Sequence, residues 1–253
     1  MKKVLITGAS GGIGLEVAKR LAAQNYQVTL VARREDTLKK VKASLPGSGH
    51  SIMVSDLTKS VDVEKLAAHL QANPYDVLIN NAGVGMYGQF VAMPLDKQLA
   101  SMQLNMNAVV TLSYAFLQQA KAGDALVNIA STLAHSSFPG ASVYAGTKGF
   151  VANFSESLWF EFRKKNIYIL GFNPGATKSD FHTNAGGQTS AFSEAFLSTS
   201  EDVASDLVAA LEKRKKPRVI SGWKNRLLLF GFKFMSRATV VNMMGGLSPG
   251  MKN

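Results

Sequence analysis

Cysteine is absent from the 253 residues. That excludes disulfides and thiol nucleophiles and fits a reducing compartment. Histidine is scarce: His50, His69, His135 and His182 stand at no metal-ligand spacing, so structural or surface roles are expected and no metal. Acidic residues number 17 against 28 lysines and arginines, a formal net charge of +11. A basic balance raises nucleic acid as a partner, but no recognition motif accompanies it, and none is expected to bind. No apolar run nears the roughly 20 residues that a membrane-spanning helix needs. The amino-terminal Lys2-Lys3-Val4-Leu5-Ile6 mimics the start of a signal peptide, yet its apolar stretch stops at Thr7. The cytoplasm is therefore the expected location. Linkers, low-complexity tracts and internal repeats are also missing, so residues 1–253 read as one domain.

What is present is an alternation of two periodicities. Strand-like runs occur at 4–7, 27–32, 51–55, 76–80, 125–131, 167–172 and 217–220. Helical patterns lie between them at 12–24, 34–44, 60–72, 96–121, 142–166 and 200–214. Such alternation predicts an α/β fold, a doubly wound parallel sheet of about seven strands with helices on both faces. Runs such as Val77-Leu78-Ile79 are apolar on successive residues, as strands buried on both sides should be. Ligands of these sheets bind beyond the carboxyl ends of the strands. The expected ends carry Ser55-Asp56-Leu57, Asn80-Asn81-Ala82-Gly83, Ala130-Ser131 and Asn173-Pro174-Gly175.

The first strand runs into Thr7-Gly8-Ala9-Ser10-Gly11-Gly12-Ile13-Gly14, and a helix pattern follows at once. Glycines there let the backbone turn tightly and approach a pyrophosphate, whose charge sits at the helix N-terminus. The second strand ends in Ala32-Arg33-Arg34, where an NAD-preferring protein carries an acidic residue for the ribose 2′-hydroxyl. Guanidinium groups suit a 2′-phosphate, so NADP(H) is the expected cofactor. A basic start to the next helix accounts for Arg34 about as well.

Tyr144 and Lys148 are four residues apart, hence one turn apart on the same helix face. A neighbouring ammonium is expected to lower the phenol's pKa from about 10 and fit it for proton transfer. Ser131, delivered from a strand end, could hold a substrate oxygen beside it.

Taken in order, Thr7-Gly8-x-x-x-Gly12-x-Gly14, Asp56, Asn80-Asn81-Ala82-Gly83, Asn105, Ser131, Tyr144-x-x-x-Lys148 and Pro174-Gly175 resemble the classical short-chain dehydrogenases/reductases, probed over roughly residues 1–180. The resemblance implies a Rossmann-like fold and an NADPH-dependent reduction of a ketone or aldehyde by hydride transfer. It implies Tyr144 as general acid/base, Ser131 orienting the substrate oxygen, Lys148 on the nicotinamide ribose, and Asn105 completing a tetrad with a water-linked proton relay. Asn107 is set aside because Asn105 fits the family spacing. For the cofactor it implies Thr7, Gly8, Ser10, Gly12, Ile13 and Gly14 around the diphosphate, and Asp56 and Leu57 beside the adenine. Asn81, Ala82 and Gly83 would line the adenosine side, and Pro174, Gly175 and Thr177 the carboxamide. Gly11 stands where many NADP-preferring members carry a basic residue, which leaves the 2′-phosphate to Arg33 and Arg34. A homo-oligomer is expected. The alternative is a non-catalytic NADP(H)-binding regulator, against which the complete tetrad argues.

Beyond residue 180 motifs end. Residues 180–199 correspond to the family's substrate lid; Phe181, Phe192, Phe196 and Leu197 suit either an apolar substrate or packing on the domain. Residues 84–94, with Met86, Tyr87 and Phe90, border the pocket in the same ambiguous way. Segment 211–253 holds ten Lys/Arg against one Glu, a net +9. Its part from 222 to 253 forms a basic, apolar helical extension. It packs on the domain or across a subunit interface in one reading, and touches an anionic membrane surface in the other.

Overall fold

The computed structural model describes residues 1–179, 181, 185, 197–248 and 251. Its centre is one parallel sheet of β1 (Lys3–Thr7), β2 (Gln27–Ala32), β3 (Ser51–Val54), β4 (Val77–Asn80), β5 (Ala125–Ile129), β6 (Tyr168–Asn173) and β7 (Arg218–Ile220), in the order β3-β2-β1-β4-β5-β6-β7. The chain starts in the middle, winds out to β3, then returns to the other side of β1. That reversal opens a crevice between β1 and β4 at their carboxyl ends.

The helices that cover the sheet are α1 (Gly12–Ala23), α2 (Glu35–Ser44), α3 (Ser60–Ala72), α4 (Leu95–Met102), α5 (Ala108–Gln119), α6 (Ser142–Phe162) and α7 (Ser200–Lys213). Two more, α8 (Trp223–Gly231) and α9 (Arg237–Leu247), form the extension. Alternate strand residues divide between two cores. Val4, Ile6, Ile79, Val127 and Leu170 meet Val17 and Leu21 of α1 and Val203, Leu207 and Leu211 of α7. Leu5, Leu78, Leu126 and Ile169 meet Leu66 and Leu70 of α3 and Leu112 and Phe116 of α5. Burial on both faces is what the unbroken apolar runs foretold.

A polar seam crosses this apolar sheet. The Asn80 side-chain amide donates to Asn128 Oδ1 (2.9 Å), and Asn128 donates to the Ser155 hydroxyl (3.1 Å). The seam ties β4, β5 and α6 in one register.

Two expectations need correction. The helix expected over 96–121 is interrupted by a π-turn at Gln103–Asn107. The inserted residue turns the apolar stripe by about 100°, but the short α4 before it holds too few apolar positions to fix a phase in the sequence. The strand expected to reach 131 ends at Ile129, so Ser131 lies beyond it and opens a short 3-10 turn, Thr132–His135. Of the expected lid, Phe181, Ala185 and residues 197–199 are described, whereas Asp180, His182, Gly186, Gly187, Phe192 and Phe196 lie outside the described residues.

Candidate active site

The tips of β1 and β4 are stitched together side chain to backbone. The Thr7 hydroxyl accepts from the N–H groups of Asn81 and Ala82, each at 3.0 Å. The Asn81 amide donates back to Thr7 O (2.9 Å) and Gly8 O (3.1 Å). Gly8 takes φ +66°, and a Cβ there would stand 2.8 Å from Ala82 Cα. At Gly14 a Cβ would strike Gly8 O and the Asn81 amide. No other residue type fits either position. Around Gly11 nothing lies within 4 Å of a notional Cβ, so the loop leaves open space where α1 begins. No side chain caps α1 and its first turn holds no acidic residue. Its orphan N–H groups face the mouth of the loop beside the half-buried Ser10 and Ile13, which is what a diphosphate requires.

Arg33 and Arg34 follow β2 and are exposed. Asp56 follows β3. Burial raises its pKa, but hydrogen bonds from the Thr58 hydroxyl and N–H and the charges of Arg33 and Lys59 outweigh that, and the carboxyl ends below its ordinary value. Arg33 and Asp56 thus feel each other across neighbouring strand tips. Leu57 is buried in the α3 core, so its backbone rather than its side chain is what it can offer a ligand.

Past β4 and β5 the remaining candidates converge. Tyr144 and Lys148 lie on the buried face of α6, continued by Val151 and Ser155 at helical spacing. Lys148 Nζ donates to Ile129 O (2.8 Å) and stands 5.9 Å from the Tyr144 ring centroid. Ser131 lies beside Tyr144, and its Oγ accepts from Leu133 N (3.1 Å). A Cβ on Gly83 would come within 3.2 Å of Asn105 Oδ1 and 3.3 Å of Lys148 Nζ. The missing side chain at Gly83 is therefore what leaves room for these two buried polar groups.

The expected lowering of the tyrosine pKa is overturned. Burial raises the Tyr144 pKa well above its ordinary value; the neighbouring Tyr87 adds to this and the Ser131 hydroxyl opposes it. The Lys148 ammonium does not reverse the shift because it is directed at a backbone carbonyl. Burial instead pushes Lys148 itself down to about 8, and Tyr87 up to about 12.

Asn105 is fully buried inside the π-turn. Its Oδ1 accepts from Val84 N (3.0 Å), and its Nδ2 donates to Val84 O (2.9 Å) and Thr147 Oγ1 (3.2 Å). Thr147 passes the contact on by donating to Tyr144 O (2.8 Å). The extra residue of the turn re-aims one side chain inward, as π-turns do at functional sites. Asn107 is exposed and donates to Gln103 on the surface, so setting it aside agrees with the geometry.

Pro174 O accepts from Thr132 N (2.9 Å), joining the β6 tip to the Ser131 turn. Thr177 Oγ1 donates to Gly175 O (3.0 Å). Asn225 of α8 packs so closely on Gly175 that a Cβ there would come within 2.9 Å of its Cγ. Phe138, Ala141, Tyr144, Ala145, Val240 and Met244 form a separate apolar cluster, with Tyr87, Leu133, Phe181 and Phe232 against it. The extension therefore packs over the Tyr144 end of the cleft with one of its faces. Sequence reading missed Thr147, Asn225, Phe138, Val240 and Met244. Thr147 was findable from its place one turn after Tyr144; the others belong to no local pattern.

Seven parallel strands in this order, with helices on both faces, make a Rossmann-like α/β fold. A family model described as short chain dehydrogenase matches residues 2–189, and the chain belongs to that family of oxidoreductases. An uncharacterized oxidoreductase of Staphylococcus saprophyticus is 33% identical over 186 residues, 71% of this chain and 75% of that one. An NADP-dependent 3-hydroxy acid dehydrogenase of Schizosaccharomyces pombe is 28% identical over 230 residues, 85% of this chain and 88% of that one. Among solved structures, a short-chain dehydrogenase from Sphingobium yanoikuyae in complex with NADPH superposes with a TM-score of 0.82 at 28% identity, covering 92% of this chain and 93% of that one. Among the described residues no helix is long and apolar enough to cross a membrane, and no group of three or more His, Asp or Glu could hold a metal ion.

Proposed function

We propose that the protein reduces a ketone or aldehyde to the alcohol with NADPH, using Tyr144 as the general acid. The observation that carries this reading is the enclosed Tyr144, beside Ser131 and one turn from Lys148, in a fold whose glycine loop is built for a diphosphate. The NADPH-bound neighbour at 28% identity and the NADP-dependent relative support the choice of cofactor.

Thr7, Gly8, Ser10, Gly12, Ile13 and Gly14 would hold the diphosphate, and Arg33 and Arg34 the 2′-phosphate. Asp56, Leu57, Asn81, Ala82 and Gly83 would flank the adenosine, Tyr144 and Lys148 the nicotinamide ribose, and Pro174, Gly175 and Thr177 the carboxamide. When bound there, NADPH would supply a hydride to the carbonyl carbon. Tyr144 donates the proton that the carbonyl oxygen takes up, and its raised pKa keeps the phenol in the donating form at neutral pH. Ser131 orients that oxygen. Lys148 holds positive charge beside the phenol, and Asn105 acts through Thr147 on the α6 backbone that carries Tyr144. We read the chain as one domain, with residues 180–199 as the substrate lid and 222–253 as an extension walling the cleft. A cysteine-free chain suits the reducing cytoplasm. Exposed Leu95, Leu99, Met102 and Tyr114 on α4 and α5 suit a homo-oligomer.

The test is NADPH oxidation across a panel of aldehydes, 3-ketoacyl thioesters, quinones and ketosteroids, alongside a titration of NADPH and NADH binding. Turnover on at least one carbonyl, with NADPH preferred, is expected. Tight NADPH binding with no turnover across the panel replaces this reading with that of a cofactor-binding regulator.

A further inference from the structure

From Lys213 onward the chain has ten lysines and arginines and no acidic residue. Within that stretch α8, the 3-10 turn Phe232–Phe234 that extends it, and the start of α9 have two unlike faces. The inner face is committed: Asn225 packs on Gly175, and Phe232, Val240 and Met244 join the cluster around Tyr144. The outer face is apolar and open. Trp223, Leu227, Phe230 and Phe234 stand at i, i+4, i+7 and i+11, a single helical stripe. They are 55–77% exposed. The Phe230 and Phe234 rings meet edge to face at 5.2 Å, so the stripe is continuous. Lys224, Arg226, Lys233 and Arg237 are exposed along the same stretch.

A large aromatic and aliphatic stripe in contact with water calls for an apolar phase. The charges within this segment are all basic and outnumber the Asp202 and Asp206 carboxylates of α7 that border its start, and they call for an anionic one. We propose that this face docks on an anionic lipid bilayer surface. Trp223, Leu227, Phe230 and Phe234 enter the headgroup and acyl boundary, while the basic side chains keep their charged ends on lipid phosphates. Charge complementarity selects this occupant. A second copy of the chain would bring two net-basic segments together. Attachment is peripheral, since no described helix can span a membrane. The docked face is the back of the segment that packs on Tyr144, which sets the catalytic cluster about one helix diameter, roughly 10 Å, from the lipid.

The experiment uses the full chain with vesicles of phosphatidylcholine mixed with phosphatidylglycerol, and of phosphatidylcholine alone. Flotation measures binding. In a Trp159→Phe background, Trp223 is the one remaining indole and its emission reports on insertion. Binding and a blue shift are expected with the anionic vesicles only, weakening as salt is added. Leu227→Ser with Phe234→Ser should lower partitioning by on the order of a hundredfold. Lys233→Glu with Arg237→Glu should lower it by a similar factor. Both pairs change exposed positions, so thermal unfolding and NADPH affinity should stay as in the native chain. The proposal is overturned by absence of binding to anionic vesicles, or by binding that survives loss of Leu227 and Phe234. A concentration-dependent dimer that Phe234→Ser dissolves, without vesicle binding, overturns it as well. None of these readouts depends on turnover, so failure here is distinguishable from failure of the enzymatic reading.

Discussion

The two ends of the cleft are built by different means. At the β1–β4 tips, shape comes from single atoms: the Thr7 hydroxyl accepting twice, the Asn81 amide donating twice, and glycines where a Cβ would collide. At the Tyr144 end, shape comes from volume: Phe138, Val240, Met244 and Phe232 pack around Tyr144 and Ala145 of α6 as an apolar cluster. The first construction tolerates almost no substitution, and it suits a ligand part that never varies. The second can be reshaped by any apolar residue of similar size, which is how one fold accepts many substrates.

The largest effect should separate chemistry from binding. Tyr144→Phe removes the proton donor while leaving the ring in its apolar cluster, so kcat should fall about 10²- to 10⁴-fold. NADPH affinity, read by fluorescence titration, should stay near the native value. Near-normal turnover in this variant would remove Tyr144 from the proposed role. Lys148 sharpens the comparison through pH. In the folded chain its pKa is pushed down to about 8, against about 10.4 in an unfolded one. Between those values the unfolded state binds more protons, so stability rises with pH across that window, by about 3 kcal/mol in all. Below about pH 8 this group contributes no slope. Urea unfolding of the cofactor-free chain should show the rise, and Lys148→Met should abolish it. A flat difference between the two profiles would mean the ammonium keeps its water.

Arg33→Ala tests the cofactor end. Loss of a charge-assisted hydrogen bond to the 2′-phosphate, worth about 1.5–3 kcal/mol, should raise the NADPH Kd roughly 10- to 100-fold. NADH affinity should not move. Equal losses for both cofactors would make Arg33 a general electrostatic contributor and shift the selecting role to Arg34.

The same difference in construction decided what could be read from the sequence. The strands, the glycine loop and the Tyr144–Lys148 spacing were legible because each is a short-range rule, of period 2 or 3.6 or of φ at a glycine. Asn105 was found through family spacing, but the π-turn that aims it was not, since α4 ahead of it is too short to reveal the change of phase that one inserted residue makes. The direction of the Tyr144 shift was misjudged because spacing places a charge near the phenol without revealing burial or where the ammonium points. Val240 and Met244 were invisible as neighbours of Tyr144: they lie about a hundred residues on, and only the tertiary fold brings them there. The basic, apolar character of the extension was plain, and what the fold added is which of its side chains face outward.

The smallest expected effect tests the contrast most directly, by two nearly isosteric changes. Met244→Leu keeps apolar volume in the Tyr144 cluster, so it should cost less than about 1.5 kcal/mol in urea unfolding. NADPH affinity should be unchanged. Thr7→Val alters one atom's chemistry at similar size, yet it strips the hydroxyl acceptor from Ala82 N–H and one of two acceptors from Asn81 N–H, which keeps Ile79 O. The Ala82 donor left unpaired costs about 1–3 kcal/mol, so this change should exceed the first and weaken NADPH binding as the loop loses its anchor. If both variants unfold alike and bind NADPH alike, the β1–β4 tips owe their shape to packing as well, and the distinction between the two ends dissolves.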